Sequence, residues 1–237
     1  MNLESLLISH DAALVGVLRP TLEKMSVTVE VCPSIQTGGV LLGRRKFDAV
    51  IVDCDDLDGG VELLRSMRTA RSNTTSVAFA VLNGKTTTHQ AFQIGANFVL
   101  QKPLTPLHAT RCFHAAMNFM VRERRRYFRH PVDMGVQIST TAGLDLKAAA
   151  TNISEGGMAL RLANKLPKDS EARLQFTLPN TTTSLELHGK VAWVDEMGHA
   201  GIRFLDVPQS SQYQLEKWLT ERVREEMPAN LQGYIAN

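Results

Sequence analysis

Two polar segments of this chain combine residue types that recognise anions. Arg124, Arg125 and Arg129 crowd together ahead of Pro131, and residues 152–157 read Asn-Ile-Ser-Glu-Gly-Gly. A guanidinium group is planar, permanently charged and donates hydrogen bonds in pairs, which suits phosphates and guanine edges. A glycine-rich polar turn lets backbone N–H groups and short side chains approach a ligand closely. Together the segments predict a site for a small anionic nucleotide.

The two segments are predicted to contribute differently to binding: the arginines supply charge, and the glycine turn supplies close approach. Arg125 and Arg129 can grip a phosphate or the O6/N7 edge of a guanine, and Gly157 lets the chain turn without a Cβ. Because Pro131 favours an extended backbone before it, we expect the arginine run to be a flexible strap rather than the end of a helix. The candidate binding residues are Arg124, Arg125, Arg129, Asn152, Ser154, Gly156 and Gly157.

These segments resemble, in type and order, the two motifs of the PilZ domain, a bacterial receptor for cyclic di-GMP. That family writes them as Arg-x-x-x-Arg and (Asp/Asn)-x-Ser-x-x-Gly. They are matched here by Arg125 and Arg129, and by Asn152, Ser154 and Gly157, with weaker matches at residues 189–194 and 201–204. The resemblance covers about residues 122–207. It implies a six-stranded β-barrel over which the arginine segment folds to clamp the ligand, and Arg124 favours two stacked ligands per chain.

The composition limits the class of protein. With 237 residues, 43% hydrophobic and 21% charged, the chain is long enough for two small globular domains. A net charge of +2 is too small to favour a nucleic-acid binder, so we expect no nucleic-acid partner. No apolar run approaches the roughly 20 residues that span a bilayer, so no membrane insertion is expected.

Cysteine usage and the N-terminus predict a location. Cys32, Cys54 and Cys112 show no metal or disulfide spacing and lie in mostly apolar sequence, so we expect buried, reduced thiols. The chain starts without the basic residues of a signal peptide. Both observations favour the cytoplasm.

The first half alternates short apolar runs with helical patterns. Strands are predicted at 3–9, 27–32, 47–52, 76–82 and 98–100, and helices at 12–25, 35–45, 60–70 and 87–94. Thr105 followed by Pro106 predicts the start of another helix, with Leu107, Phe113, Ala116, Met117 and Met120 on its apolar face. This alternation predicts a doubly wound parallel sheet with helices on both faces.

The first half is similar to a response-regulator receiver domain over about residues 1–120. The matching stretches are 47–53, 91–99 and 101–103. In that family the aspartate at Asp53 accepts phosphate, and a lysine at Lys102 and Mg²⁺ neutralise charge. The carboxylate pair that holds the Mg²⁺ is replaced here by Ser9 and His10. Asp11 lies one position beyond, and an alignment shifted by one residue would bring it into the site. His10 is a poor Mg²⁺ ligand.

A second departure concerns the hydroxyl residue that follows the fourth strand in receivers, because its position falls near Val81. Phosphoryl transfer depends on positioning and charge neutralisation, so we predict that Asp53 and Lys102 mark an inactive phosphoacceptor site and that no metal is bound. The acidic run from Asp53 to Gly59 does not match a calcium loop either, because Leu57 and Leu64 stand where ligands are required.

From Val132 the hydrophobic period changes to two. Alternating runs at 132–138, 158–162, 174–178, 185–194 and 200–205 predict short antiparallel strands in a sandwich or closed barrel. After Pro208, the residues Leu215, Trp218, Leu219 and Val223 predict a helix that packs on it, and the tail from Pro228 is expected to be loose. The predicted domains are 1–120 (receiver-like), 121–131 (arginine-rich linker), 132–207 (barrel) and 208–237 (C-terminal helix and tail).

These observations favour a binding module over an enzyme, because no convincing set of catalytic residues is present. We expect a cyclic di-GMP effector in which ligand binding rearranges the two domains and alters contact with an unidentified protein partner. It needs no cofactor besides that ligand. The alternative is a phosphorylation-controlled response regulator with the PilZ-like half as its output.

Overall fold

The computed structural model describes residues 2–69, 72–140, 143, 145–163 and 166–235. The chain divides into two compact units, which are described separately. The first unit runs to residue 124 and also includes the segment from residue 227 onward, and the second unit comprises residues 125–226.

Strands and helices alternate in the first unit. In chain order they are β1 (Leu3–Ile8), α1 (Ala12–Glu23), β2 (Val27–Cys32), α2 (Ile35–Arg44), β3 (Ala49–Asp53), α3 (Gly60–Met67), β4 (Val77–Leu82), α4 (Thr88–Gln93), β5 (Phe98–Gln101) and α5 (Pro106–Tyr127). Among the described residues, five strands pair in parallel in the order β2-β1-β3-β4-β5. β3 and β4 are buried along their whole length, as expected for apolar strands covered on both faces. The predicted parallel sheet is confirmed.

The start of α5 follows the predicted capping pattern, but one residue of its apolar face was assigned wrongly. The Thr105 hydroxyl accepts a hydrogen bond from the His108 backbone N–H at 3.3 Å. Phe113 and three further predicted residues are buried, whereas Leu107 is 57% exposed. Six residues of helix rotate Leu107 about 120° away from Phe113, which carries it off the buried stripe. Helix α3 ends earlier than predicted, at Met67, and residue 70 lies outside the described residues.

The second unit is an antiparallel barrel with one long helix. Its elements are β6 (His130–Thr140), β7 (Asp145–Ser154), β8 (Gly157–Leu162), β9 (Glu171–Thr177), β10 (Ser184–Val194), β11 (His199–Leu205) and α6 (Gln209–Glu226). Within the described part of the chain, the six strands close in the order β10-β11-β8-β7-β6-β9. The prediction of a six-stranded antiparallel barrel followed by a C-terminal helix is confirmed.

The barrel interior follows the period-two pattern of its strands. In β9, Ala172, Leu174 and Phe176 are buried and alternate with exposed polar residues. Helix α6 adds to this core through Leu215, Trp218 and Leu219, as predicted. The Trp218 indole N–H donates to the Pro179 carbonyl at 3.0 Å, so its polar atom is satisfied.

The prediction of a flexible arginine strap is wrong. Arg124, Arg125 and Arg126 lie inside α5, which continues to Tyr127. Arginine has a high helix propensity, and no glycine or proline interrupts the chain between Pro106 and Pro131. The restriction that Pro131 imposes acts on His130, which is three residues beyond the end of the helix.

The prediction of a loose C-terminal tail is also wrong for the described residues. A short helix, α7 (Ala229–Gln232), forms there, and Met227, Leu231 and Ile235 are buried in the first unit. Three buried apolar side chains within nine residues therefore fix this segment to the core of the first unit. Residues 236 and 237 lie outside the described residues.

The cysteines are free thiols. Cys32 and Cys54 are buried as predicted, whereas Cys112 is half-buried. Burial raises the pKa of Cys54 to about 12 and that of Cys112 to about 11, so both groups stay protonated at neutral pH. Separately, no helix in the described ranges has both the length and the apolar character that crossing a membrane requires.

Candidate functional site

The Asn-x-Ser-x-x-Gly segment forms the hairpin between β7 and β8. Asn152 and Ser154 end β7, and Gly157 begins β8 directly opposite Ser154. The Ser154 hydroxyl donates to the Gly157 carbonyl at 3.1 Å, and Ser154 is only 5% exposed. Ser154 therefore stabilises the turn itself, while Asn152 is half-buried and remains partly open to solvent.

The two glycines of this hairpin differ in their surroundings. A Cβ at Gly157 would lie 2.1 Å from the Ile202 carbonyl oxygen, so only glycine permits β8 to approach β11 this closely. A Cβ at Gly156 would meet no described atom within 4 Å. The backbone at Gly156 is thus accessible to a ligand, whereas Gly157 is needed for strand packing.

Both motif arginines converge on this hairpin. Arg129 lies between α5 and β6, and its Nη1 donates to Asn152 Oδ1 at 3.4 Å. Arg125, near the end of α5, donates from Nε to Glu155 Oε1 at 2.8 Å and from Nη1 to Thr220 Oγ1 at 3.2 Å. The structure therefore joins the arginine segment and the hairpin into one polar cluster of the second unit.

Arg124 points to a different set of partners. Its guanidinium lies 3.6 Å from Asp48 Oδ2 and 3.7 Å from Glu4 Oε1, both in the first unit. Successive helical residues project about 100° apart, so neighbouring arginines of α5 face different surroundings. Asp48 is 2% exposed, and burial raises its pKa to about 7, against the opposing effect of Arg124.

Sequence reasoning missed three parts of this cluster. Strand β7 escaped the alternation pattern because residues 148–150 are three consecutive alanines. Glu155 occupies a variable position of the motif, and its charge next to a predicted arginine site was the only available signal. Thr220 lies 95 residues from Arg125 along the chain, and no sequence pattern links the two.

A second polar cluster lies at the carboxyl ends of the parallel strands. Lys102 Nζ donates to Asp53 Oδ2 at 2.9 Å, to Asp11 Oδ2 at 3.0 Å and to Asp56 Oδ2 at 2.7 Å. The Ser9 hydroxyl donates to the same Asp53 oxygen at 2.8 Å. The structure thus brings Asp53 and Lys102 together. It adds Asp11, which the alternative alignment admits, and Asp56, which was not assigned to the site.

The charges of this cluster are unevenly balanced. Burial lowers the pKa of Lys102, but its hydrogen bonds to three carboxylates outweigh burial and raise it overall. The hydrogen bond from Lys102 in turn lowers the pKa of Asp11. Three carboxylates and one ammonium leave a formal charge of −2.

The carboxylates of this cluster fit a divalent cation. Asp11, Asp53 and Asp56 each offer an oxygen atom, and these atoms lie within 4.8 Å of one another. In the described structure the buried Asp53 Oδ1 has no hydrogen-bond partner. Mg²⁺ prefers such carboxylate oxygens. Asp11, Asp53 and Asp56 are therefore the residues that would hold the ion. The expectation of no metal rested on the alignment that places Ser9 and His10 here, and it stays a prediction. The alternative alignment, shifted by one residue, admits the Asp11 carboxylate that lies in this cluster.

Family comparison assigns both halves. Residues 6–111 match the response regulator receiver domain, and residues 123–221 match the PilZ domain. The chain combines a receiver domain with a PilZ domain. Both resemblances drawn from the sequence are confirmed, and the PilZ match includes the arginine segment, the hairpin and most of α6.

Solved structures with similar folds include two receiver domains. One is the receiver domain of a Pseudomonas aeruginosa PAO1 sensor histidine kinase, at 20% identity over 48% of this chain and 97% of that chain, with a TM-score of 0.43. The other is a CheY-like receiver domain protein from Methanospirillum hungatei JF-1, at 19% identity over 52% of this chain and 99% of that chain, with a TM-score of 0.45.

A third similar structure is an inhibitor of motility from Bacillus subtilis. It is 20% identical over 44% of this chain and 54% of that chain, with a TM-score of 0.38. No curated protein matches the chain in sequence.

Proposed function

We propose that this chain is a cyclic di-GMP effector whose PilZ domain binds the ligand. The observation that carries the proposal is the convergence of Arg125 and Arg129 on the 152–157 hairpin, through Glu155 and Asn152. Cyclic di-GMP presents two phosphates and two guanines. Guanidinium forks can bind either group through paired, charge-assisted hydrogen bonds, or stack on a guanine face.

The hairpin supplies contacts that complement the arginines. The amide of Asn152 offers a donor and an acceptor for a guanine edge, and the open backbone at Gly156 allows close approach. Ser154 acts indirectly, by holding the turn in shape. Neither family model is that of a catalytic family, and we propose a binding function without chemistry on the ligand.

We further propose that α5 couples ligand binding to the receiver domain. Arg124 bonds within the first unit and Arg125 within the second, and the two are adjacent in one continuous helix. A ligand that binds Arg125 would rotate or shift the C-terminal end of α5. This change would alter the contact with an unidentified protein partner. Hydrogen exchange should then change along residues 106–127 when ligand binds. A change confined to residues 152–157 would contradict coupling.

A second candidate function is a phosphorylation-controlled response regulator. It is favoured by the contact of Lys102 with Asp53 and by the carboxylates of Asp11 and Asp56 beside them. A Mg²⁺ ion held there would neutralise charge on an incoming phosphoryl group. In this reading Lys102 orients Asp53, and the PilZ domain is the output.

Calorimetric titration of the full chain distinguishes these functions. We expect saturable heat with cyclic di-GMP, and none with a DNA or RNA oligonucleotide under the same conditions. A parallel sample treated with acetyl phosphate and Mg²⁺, and weighed by intact mass spectrometry, tests the second function. Absence of binding to cyclic di-GMP together with a stable phosphoryl adduct would favour the response-regulator function over the cyclic di-GMP effector.

A further inference from the structure

In this structure Arg125 is bonded to Glu155, an acidic residue of the hairpin that is predicted to bind the ligand. Its Nε donates to Glu155 Oε1 at 2.8 Å, and its Nη1 donates to Thr220 Oγ1 at 3.2 Å. The side chains of Arg125 and Glu155 are 21% and 18% exposed. An ion pair with this degree of burial is screened less by water and salt than an exposed one.

The carboxylate of Glu155 resembles the group that the ligand would present. A carboxylate and a phosphate both offer two oxygens with negative charge to the same guanidinium donors. Glu155 lies between Ser154 and Gly156, so its carboxylate belongs to the turn predicted to contact the ligand. An anionic ligand at this turn must displace Glu155 from Arg125 or remain beside an unneutralised charge.

We propose that the Glu155 carboxylate competes with the ligand phosphate for Arg125: it occupies the guanidinium in the free protein and thereby lowers the affinity for the ligand. This inference rests on the proposed binding of cyclic di-GMP. In the free protein Arg125 bonds to Glu155, and in the complex it bonds to the ligand while Glu155 turns out to solvent. Ligand affinity then depends on the difference in free energy between the Arg125–phosphate pair of the complex and the Arg125–Glu155 pair of the free protein.

A purely orienting role for Glu155 predicts the opposite result. If Glu155 only aimed Arg125 at the ligand, its removal would weaken binding. Thr220 supplies a separate anchor for Arg125, and the Thr220 hydroxyl is itself fixed by donating to the Glu216 carbonyl at 2.6 Å. Arg125 therefore keeps an orienting contact without Glu155, and the sign of the affinity change separates the two roles.

The test is calorimetry of the full chain with cyclic di-GMP in wild type, Glu155→Gln and Glu155→Asp. Glutamine keeps the size and an acceptor oxygen but removes the charge. We expect about tenfold tighter binding for Glu155→Gln, because a charge-assisted competitor becomes a neutral one. Glu155→Asp keeps the charge on a shorter side chain and should fall between the two.

Two controls tie the effect to Arg125. Glu186 on β10 forms an ion pair with Arg173 on β9, outside both motifs. Glu186→Gln removes the same charge there and should leave the affinity for cyclic di-GMP unchanged. In an Arg125→Ala background, Glu155→Gln should change affinity much less than in wild type. Thermal unfolding of each variant confirms that the fold is retained.

The outcomes separate this inference from the proposed function. Tighter binding in Glu155→Gln but not in Glu186→Gln, or binding that is detectable only when Glu155 is replaced, supports the competitor role. Equal or weaker binding in Glu155→Gln, while wild type binds, overturns the competitor role and leaves the proposed function intact. If neither wild type nor Glu155→Gln binds cyclic di-GMP, the proposed function fails, and the competitor role fails with it.

Discussion

Arg129 Nη1 lies 3.4 Å from Asn152 Oδ1, and this contact links the two motifs of the PilZ domain. Arg129 precedes β6 by one residue, and Pro131 in β6 pairs with Asn152 in β7. The hydrogen bond is long and solvent-exposed, so it contributes little to stability. A ligand can therefore replace it at small cost, and both side chains are available to bind.

Loss of either motif arginine should weaken the binding of cyclic di-GMP. Arg125→Ala and Arg129→Ala each remove charge-assisted hydrogen bonds worth roughly 1.5–3 kcal/mol. That corresponds to about a tenfold to hundredfold rise in Kd, measured by calorimetry. Arg173→Ala, an exposed arginine on β9, is the matched control and should bind as wild type does. Wild-type affinity in both motif variants would exclude the proposed site.

Arg124 should determine ligand stoichiometry. The resemblance to PilZ domains with an arginine at this position favours two stacked ligands per chain, the second meeting Arg124. In the free protein Arg124 faces Asp48 and Glu4, so it must leave them to reach a ligand. We expect calorimetry to give two ligands per wild-type chain and one for Arg124→Ala. A single ligand in both proteins would show that Arg124 does not bind a second ligand.

Asp53 should not retain a phosphoryl group. Its Oδ2 accepts hydrogen bonds from Ser9 and Lys102, and the residue is 0% exposed, so an incoming phosphate cannot approach either oxygen without rearrangement. The aligned position falls on apolar Val81, the second-last residue of β4, which has no hydroxyl to contact a phosphoryl group. Intact mass after treatment with acetyl phosphate and Mg²⁺ should equal that of untreated protein. An adduct that disappears in Asp53→Asn would establish the response-regulator function.

The stability of the first unit should fall as pH rises because of Asp48. Burial raises its pKa in the folded protein to about 7, whereas in the unfolded chain it titrates near the usual value of about 3.9. Between these values the folded state holds a proton that the unfolded state releases. The contribution of Asp48 is therefore complete below about pH 4 and is lost as pH rises through 7.

Asp48→Asn should remove this dependence, because asparagine keeps an acceptor for the Glu4 N–H, which lies 2.7 Å from Asp48 Oδ2. Wild type should lose a few kcal/mol at most between pH 5 and 8 relative to the variant, since a pKa difference of one corresponds to about 1.4 kcal/mol. Hydrogen exchange of β3 amides reports the opening free energy of this unit. The exposed Asp58→Asn is the control, and parallel pH profiles for Asp48→Asn and wild type would contradict the assignment.

The C-terminal segment should stabilise the receiver unit. Leu231 is 1% exposed, so Leu231→Ala creates a cavity and should cost at least about 2 kcal/mol. Leu107→Ala makes the same chemical change at a position that is 57% exposed and should cost less than about 0.5 kcal/mol. Hydrogen exchange in α1 and α5 measures both. Equal effects would mean that the segment from residue 227 is not part of this unit's core.

The sequence by itself determined the architecture of both halves. Continuous apolar strands separated by helical patterns require a covered parallel sheet, as in β3 and β4. Alternating residues such as Leu174 and Phe176 require a sheet with one buried face. These signals are local, because they depend only on the spacing of apolar residues within one element. The two binding motifs are also local, because each is a set of polar residues and glycines within one short segment.

Only the tertiary structure decided which polar groups meet. Asp11 and Lys102 are 91 residues apart in sequence, yet they bond because the ends of β1 and β5 reach the same edge of the sheet. The helical path of residues 124–127 likewise gave Arg124 and Arg125 different partners, although the sequence-based prediction placed both in one ligand site. Long-range partners follow from strand order, register and helix rotation, which no single segment encodes.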